Sequence, residues 1–301
     1  MNLRIYLTGK NGQVGWELQR CLAPLGEVTA VDIDEVDLLN PEAIRQSLRE
    51  ARPHLIVNPA AYTAVDQAEK EPLLARAINA EAPGIMVEEA KRIGCAFVHY
   101  STDYVFDGTK GSPYTEADNP CPISVYGETK LAGERTVQAA GIPHLILRTS
   151  WVYGTRGKNF LLTVLRLAAE REELRIVDDQ VGAPTWSRMI AETTALILAR
   201  TYSPESGLAS LEELSGVYHL TAAGQTTWYH FTRAILEDPA ARSLWPGPWV
   251  AKKVVPIRTE EYPTPAKRPV HSVLSNAKLQ QTFGLTLPSW QTQLKMALAT
   301  K

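Results

Sequence analysis

"LRIYLTGKNGQVG", residues 3–15, decides the fold. Leu3 to Leu7 is a run of strand length, and Gly9, Gly12 and Gly15 follow with two residues between each. A strand that ends in a glycine-rich turn and opens into a helix is the setting of a dinucleotide site. In that setting Gly9 permits the tight turn, Gly12 brings backbone N–H groups up to a pyrophosphate, and Gly15 lets the helix pack close to the strand. The spacing departs from G-x-G-x-x-G, so the motif alone also describes a plain glycine-rich βα connection.

The rest of the first half supplies the context. "VTAVDI" (28–33), "HLIVNPA" (54–60), "CAFVHYST" (95–102) and "HLILRTS" (144–150) are further apolar runs of strand length. Between them "VGWELQRCLAPL", "NPEAIRQSLREA", "LLARAINAEAPGIMVEEAKRIG" and "YGETKLAGERTVQAAG" carry helical spacing with a Gly or Pro stop nearby. Continuous apolar strands alternating with helices predict α/β architecture, a Rossmann-like doubly wound parallel sheet covered on both faces. Ligands of such sheets bind outside the carboxyl ends of the strands. The second half is less regular. "LRIVDDQ" (174–180) and "VYHLTA" (217–222) read as strands, "NFLLTVLRLAAERE" and "SRMIAETTALILARTY" as helices, and prolines recur at 239, 246, 248, 256, 263, 265 and 269. The expected division is a nucleotide-binding domain over 1–154, its sheet completed by about 172–186 and 215–224. A smaller, partly discontinuous substrate lobe would take 155–171, 187–214 and 225–301.

Bulk properties exclude several function classes. The 301 residues carry a formal net charge of −2 with both signs interspersed, so there is no electrostatic footprint for nucleic acid or an anionic membrane. No apolar stretch is long enough to span a bilayer, and Met1-Asn2-Leu3-Arg4 leads straight into a strand without the regions of a signal peptide. Cys21, Cys95 and Cys121 are odd in number and lack metal-ligand spacing, which suits reduced thiols in the cytoplasm, the first two as core filler.

Chemistry-bearing residues cluster at the predicted strand ends. Asp32 closes the second strand, where a carboxylate accepts the adenosine ribose hydroxyls and favours NAD; Lys10 is placed to hold the 2′-phosphate of NADP, so NADPH and NADH both remain open. "HYSTDYVFDG" (99–108) puts Ser101, Thr102, Asp103 and Tyr104 at the end of a buried strand. Alternation sends Ser101 and Thr102 to opposite faces. In "YGETK" Tyr126 and Lys130 lie one helical turn apart on one face. A tyrosine serves as general acid when its pKa, about 10 in model compounds, is brought toward neutrality, and a nearby ammonium does this. The pattern is weak alone: Tyr6 and Lys10 share the spacing, yet run along a strand into the glycine turn. What lifts Tyr126 and Lys130 is the order glycine turn, strand-end Thr102, then the Tyr-Lys helix.

In that order these motifs resemble the extended short-chain dehydrogenase/reductase family. "VNPAAYTAVDQAE", "RTSWVYG", "DDQVGAPT" and "YPTPAKRPVHS" narrow the likeness to its nucleotide-sugar 4-ketoreductases, over nearly the whole chain. The resemblance implies NAD(P)H-dependent reduction of a dTDP-4-keto-6-deoxy-L-hexose to dTDP-L-rhamnose, as a supply for cell-surface polysaccharide. It implies that Lys130 binds the nicotinamide ribose and lowers the Tyr126 pKa, that Tyr126 protonates the C4 oxygen, and that Thr102 holds that oxygen. Gly9, Lys10, Asn11, Gly12, Gln13 and Val14 match the pyrophosphate turn, Asp37 and Leu38 the adenine contact, and Ala60, Ala61 and Tyr62 a cofactor-lining segment. Asp103, Tyr104 and Trp151 match positions near the hexose. Arg268 is the cation expected at the diphosphate; Arg148, inside a strand, suits either that role or a structural ion pair. No metal is predicted, since Arg188 stands where acid would be needed beside Glu17, and a homodimer is compatible with the family. A dehydratase would need an Asp-Glu pair where this chain has Asp103-Tyr104. An epimerase-reductase would need a cysteine after Thr102. Another nucleotide-sugar 4-ketoreductase, or an NADP-binding regulatory subunit of the methionine adenosyltransferase type, remains as an alternative.

Overall fold

The computed structural model describes residues 3–203, 205–245 and 247–300; the readings that involve Met1, Asn2 and Pro246 lie outside the described residues. Five strands appear at the apolar runs, β1 Leu3–Leu7, β2 Gly26–Ala30, β3 Leu55–Asn58, β4 Ala96–Thr102 and β5 His144–Thr149, with β2 starting and ending earlier than the expected 28–33 so that Asp32 lies two residues past its end. With Gly216–His219 they form one six-stranded sheet in the order β2-β1-β3-β4-β5-(216–219), every pairing parallel. The chain moves outward from β1 to β2 and then returns to the other side of β1 at β3. A ligand crevice therefore opens at the carboxyl ends of β1 and β3.

Alternation along the strands builds two cores. Leu3, Ile5, Leu7, Leu55, Val57 and Val98 bury one face under Leu18, Leu22, Ile190 and Leu198. Tyr6, Ile56, Phe97 and Ile146 bury the other under Ile44, Leu48, Met86 and Val87. The helix α1, Gln13–Leu22, covers the first face with the helix Ser187–Thr201 packed along it. The sequence assigns 187–214 to the substrate lobe; Ser187–Thr201 belongs instead to this layer, because a sheet buried on both faces needs a second helix there. The strand predicted within 172–186 also departs from expectation. Glu173–Val177 pairs in parallel with Lys253–Ile257 outside the central sheet. Among its residues only Leu174 is buried, and such a strand does not fit a doubly covered sheet. The long helical stretch over 73–94 is interrupted by a π-helical turn, Ala77–Glu81, between Pro72–Arg76 and Ala82–Ile93.

The helices Pro41–Ala51 and Ala82–Ile93 are locked by charge as well as by packing. Glu89, 1% exposed, accepts two hydrogen bonds from Arg49 at 2.8 and 2.9 Å, with Arg45 at 3.2 Å and Arg92 at 3.1 Å. Arg49 first, and Arg45 after it, hold the Glu89 carboxyl at about 2 against an ordinary 4.5. A depressed native pKa stabilises above the unfolded value and ceases to do so as pH falls through the native one. Glu89→Gln is therefore expected to lower the melting temperature at pH 7. The gap from wild type should close as thermal scans move from about pH 4.5 toward about pH 2.

Candidate active site

The glycine turn closes as its spacing predicts. Gly9 has φ +59°, and a Cβ on Gly15 would stand 2.0 Å from the Gly9 carbonyl oxygen, so any side chain there would push α1 off the turn. Gly12 is the N-cap of α1 and no side chain caps that helix, as none caps Ala82–Ile93 or Ser187–Thr201, whereas Asn40, Ser124, Asn159, Thr227 and Ser289 cap theirs. Uncapped first-turn N–H groups are what a pyrophosphate takes up. The Gln13 Oε1 is buried beside them with no hydrogen-bond partner, while the Val14 side chain packs into the core.

A cleft of about 190 Å³ opens at the β1/β3 crevice, lined by Thr8, Gly9, Asp32, Asp37, Leu38, Ala60 and Ala61 among others. The Asp32 carboxylate accepts the Asn11 N–H at 2.8 Å and so braces the turn it shares the cleft with. Lys10 reaches across the same edge to Glu35 at 2.5 Å. Tyr62 follows Ala61, but its hydroxyl is donated to Glu71 at 2.5 Å, and its backbone is held on both sides by Asn79 of the π-helical turn. An uncapped helix start, an unpartnered amide oxygen and a cleft edged by Asp32 and small residues fit a dinucleotide.

At the carboxyl end of β4 the polar row sorts into distinct tasks. Asp103 is fully buried; it accepts hydrogen bonds from Thr102 at 3.0 Å and Ser150 at 2.8 Å, and Ser272 also bonds to it. Burial pushes its pKa up, against those bonds. The sequence reading lets Asp103 meet the substrate directly, but the structure leaves it no open face. It works by orienting Thr102, whose oxygen also accepts the Tyr104 N–H at 3.2 Å. The Thr102 and Tyr126 hydroxyls share a hydrogen bond, and the Tyr104 ring meets the Tyr126 ring edge-on at 5.5 Å. Arg268 lies near enough to act electrostatically on Tyr104 and is paired with Asp66 at 2.8 Å.

Tyr126 and Lys130 share the helix Val125–Ala139, capped by Ser124, yet Lys130 does not tune Tyr126 here. Burial pushes the Tyr126 phenol up to about 12, with the Thr102 bond acting against it and Asp103 adding to it. The resemblance implies the opposite shift, caused by Lys130. The difference arises because the Lys130 ammonium is turned to the Tyr100 carbonyl at 2.7 Å and the His99 Nε2 at 3.5 Å. Burial in turn lowers Lys130 to about 8.

Trp151, next in the chain to the Ser150 that bonds Asp103, stacks on Trp228 at 3.5 Å with an interplanar angle of 6°. Its φ of +47° is in the left-handed region, and Gly182 lies so close that a Cβ there would stand 2.4 Å from the indole. Arg148 resolves as a structural pair, bound to Glu134 through two bonds of 2.8 and 2.6 Å inside the protein.

A profile of the family described as "RmlD substrate binding domain" matches residues 3–301. The chain belongs to this family. A dTDP-4-dehydrorhamnose reductase of Burkholderia thailandensis is 51% identical over 291 residues, 96% of each chain. Among solved structures, a dTDP-4-dehydrorhamnose reductase of Clostridium acetobutylicum superposes with a TM-score of 0.87 at 38% identity, covering 98% of both chains. One from Bacillus anthracis, solved in complex with NADP, superposes at 0.85 with 35% identity over 99% of both.

Within this RmlD-family chain, sequence reasoning overlooked Asp66, Ser150, Asn79 and Trp228. Ser150 and Asp66 stand in quoted motifs, "RTSWVYG" and "VNPAAYTAVDQAE", and a search for partners of Asp103 and Arg268 along those motifs would have reached them. Asn79 and Trp228 carry no local signal, since their roles come from a π-helical turn and from a stack between residues 77 positions apart in the chain. Cys21, Cys95 and Cys121 are free, and no helix among the described residues is long and apolar enough to cross a membrane.

Proposed function

We propose that this chain reduces the C4 keto group of dTDP-4-dehydro-L-rhamnose to dTDP-L-rhamnose, with NADPH or NADH, in the cytoplasm. The observation that carries the reading is the Tyr126–Thr102 hydroxyl pair at the end of β4, one strand from the dinucleotide cleft. It stands in a chain about half identical to a relative of that name. The bound reduced nicotinamide supplies the hydride. Thr102, positioned by Asp103, turns its hydroxyl hydrogen from that carboxylate to the C4 oxygen. Tyr126, kept protonated by burial, gives that oxygen its proton as negative charge develops there. Lys130 binds the nicotinamide ribose and, turning from the Tyr100 carbonyl, brings its positive charge toward the phenolate left behind. Arg268, steadied by Asp66, meets the substrate diphosphate.

In this division of labour the central sheet and its helices hold the cofactor. The segments around Trp151, Gly182, Trp228 and Arg268 hold the sugar nucleotide. Gly182→Ala tests the second half of that statement: the added methyl overlaps the Trp151 ring and displaces it from Trp228. It is expected to raise KM for the sugar nucleotide by about tenfold while KM for NADPH stays near wild type, since misplacement is felt only where the ring makes contact.

The reading as a whole is tested by mixing the folded protein with NADPH or NADH and dTDP-4-keto-L-rhamnose and following loss of the reduced-nicotinamide absorbance. Turnover with either cofactor supports it. Nucleotide binding without turnover would leave a regulatory, NADP-binding role in its place.

A further inference from the structure

Lys130 is reached from the cofactor turn by one buried chain of polar groups. The Thr8 hydroxyl, next to Gly9, donates to the Asn58 Oδ1 at 2.6 Å; the Asn58 Nδ2 is 3.2 Å from the His99 Nδ1; and the His99 Nε2 is 3.5 Å from the Lys130 Nζ. All four residues are buried, Thr8 just past β1, Asn58 on β3, His99 on β4 and Lys130 on the helix Val125–Ala139, so water cannot replace any member. We infer that His99 is a positioning residue that holds the Lys130 ammonium through Nε2, and that its tautomer is coupled through the Asn58 carboxamide to Thr8.

The argument is one of donors and acceptors. Burial, and after it the charge of Lys130, holds the His99 imidazole well below its usual pKa and therefore neutral. A neutral imidazole has one N–H and one lone pair. To accept from an ammonium, Nε2 must offer the lone pair, so Nδ1 carries the hydrogen and Asn58 must turn its oxygen toward it. The Asn58 NH₂ then donates to the Thr8 oxygen. With Lys130 neutral the order is the one placed here: Thr8 donates to Asn58 Oδ1, Asn58 Nδ2 donates to Nδ1, and the Nε2–H points at Nζ, so taking up the ammonium order turns the carboxamide over. The carboxamide ends are nearly the same size, so both orders fit one cavity. The ammonium order gains a charge-assisted bond and is the stronger one. The other charged groups facing this pair are already committed. Glu134 and Tyr126 lie on the lysine's own helix, Arg148 on β5 is bound by Glu134, and Asp103 past β4 acts on Tyr126.

The activity arm of the test rests on the reductase reading; the binding arm does not. His99→Leu removes the acceptor. It is expected to move the alkaline limb of kcat down by about one pH unit, lowering kcat about twofold at pH 7 and about tenfold at pH 9, because the ammonium loses its charge-assisted partner. His99→Gln places a carboxamide oxygen toward Nζ and should return the limb to the wild-type position. Thr8→Val, nearly isosteric and thus readable even if His99→Leu does not fold, should shift the limb the same way by less. The same displacement is expected in the pH dependence of NADPH binding. That measurement decides the inference even if wild type shows no turnover, an outcome that would remove the reductase reading alone. A wild-type limb in folded His99→Leu or in Thr8→Val, or a His99→Gln limb displaced like that of His99→Leu, would overturn it.

Discussion

Tyr126→Phe is expected to lower kcat by about 10²- to 10⁴-fold, the usual range for a positioned proton donor, while NADPH affinity stays close to wild type. The split follows from the geometry. The phenol oxygen is bonded to Thr102, and no hydrogen bond ties it to the glycine turn or the β1/β3 cleft. Removing it leaves the ring edge-on to Tyr104 and takes away only the proton. Steady-state kinetics with NADPH and the sugar nucleotide, beside a fluorescence titration of NADPH, give the comparison. An unchanged kcat would mean that another group supplies the proton. A kcat loss matched by an equal loss of cofactor affinity would mean that the helix start had moved.

The second large effect is on stability. Glu134→Leu leaves the Arg148 guanidinium buried beneath the sheet ends with no carboxylate, and Arg148 Nη1 already lacks a partner. Breaking one side of a buried pair costs about 3–5 kcal/mol, whereas replacing both sides by apolar groups of similar volume is often neutral. Urea denaturation should therefore show Glu134→Leu strongly destabilised. The double variant with Arg148→Met should recover most of the loss, its methionine still lying against Phe106, over which the guanidinium now sits at 5.2 Å. A double variant no better than the single one would show that the pair does more than neutralise itself.

These two residues also show what was legible in the sequence. The five leading strands, α1 and the cofactor turn could be read because each is a local pattern: an apolar run, a helical period, glycines at a fixed spacing. Thr102 and Tyr126 could be read because the order of motifs along the chain mirrors their convergence at strand ends. The strand Glu173–Val177 was placed in the wrong sheet because its length and composition do not say which partner it pairs with; its exposure does. Asp103 was given to the substrate because a strand-end carboxylate reads as available. Only the fold reveals that Ser150 and Ser272, from elsewhere in the chain, occupy it. The orientation of Lys130 was similarly hidden, since helical spacing fixes the face a side chain leaves from but not the acceptor it settles on. Long-range hydrogen bonding, more than secondary structure, is what the sequence withheld.

The π-helical turn at Ala77–Glu81 has a consequence for how this chain tolerates changes of length. One additional residue in a helix advances its angular phase by about 100°. The turn thus acts as a phase shifter between Pro72–Arg76 and Ala82–Ile93, and Asn79 sits within it, gripping the Tyr62 backbone and the Thr129 hydroxyl. Deleting a single residue there would let the helix run in regular register and rotate one flank relative to the other. Either Asn79 would leave Tyr62, or Glu89 would leave its arginines. Length at this point is therefore constrained by the architecture in its own right, independent of which amino acids fill it.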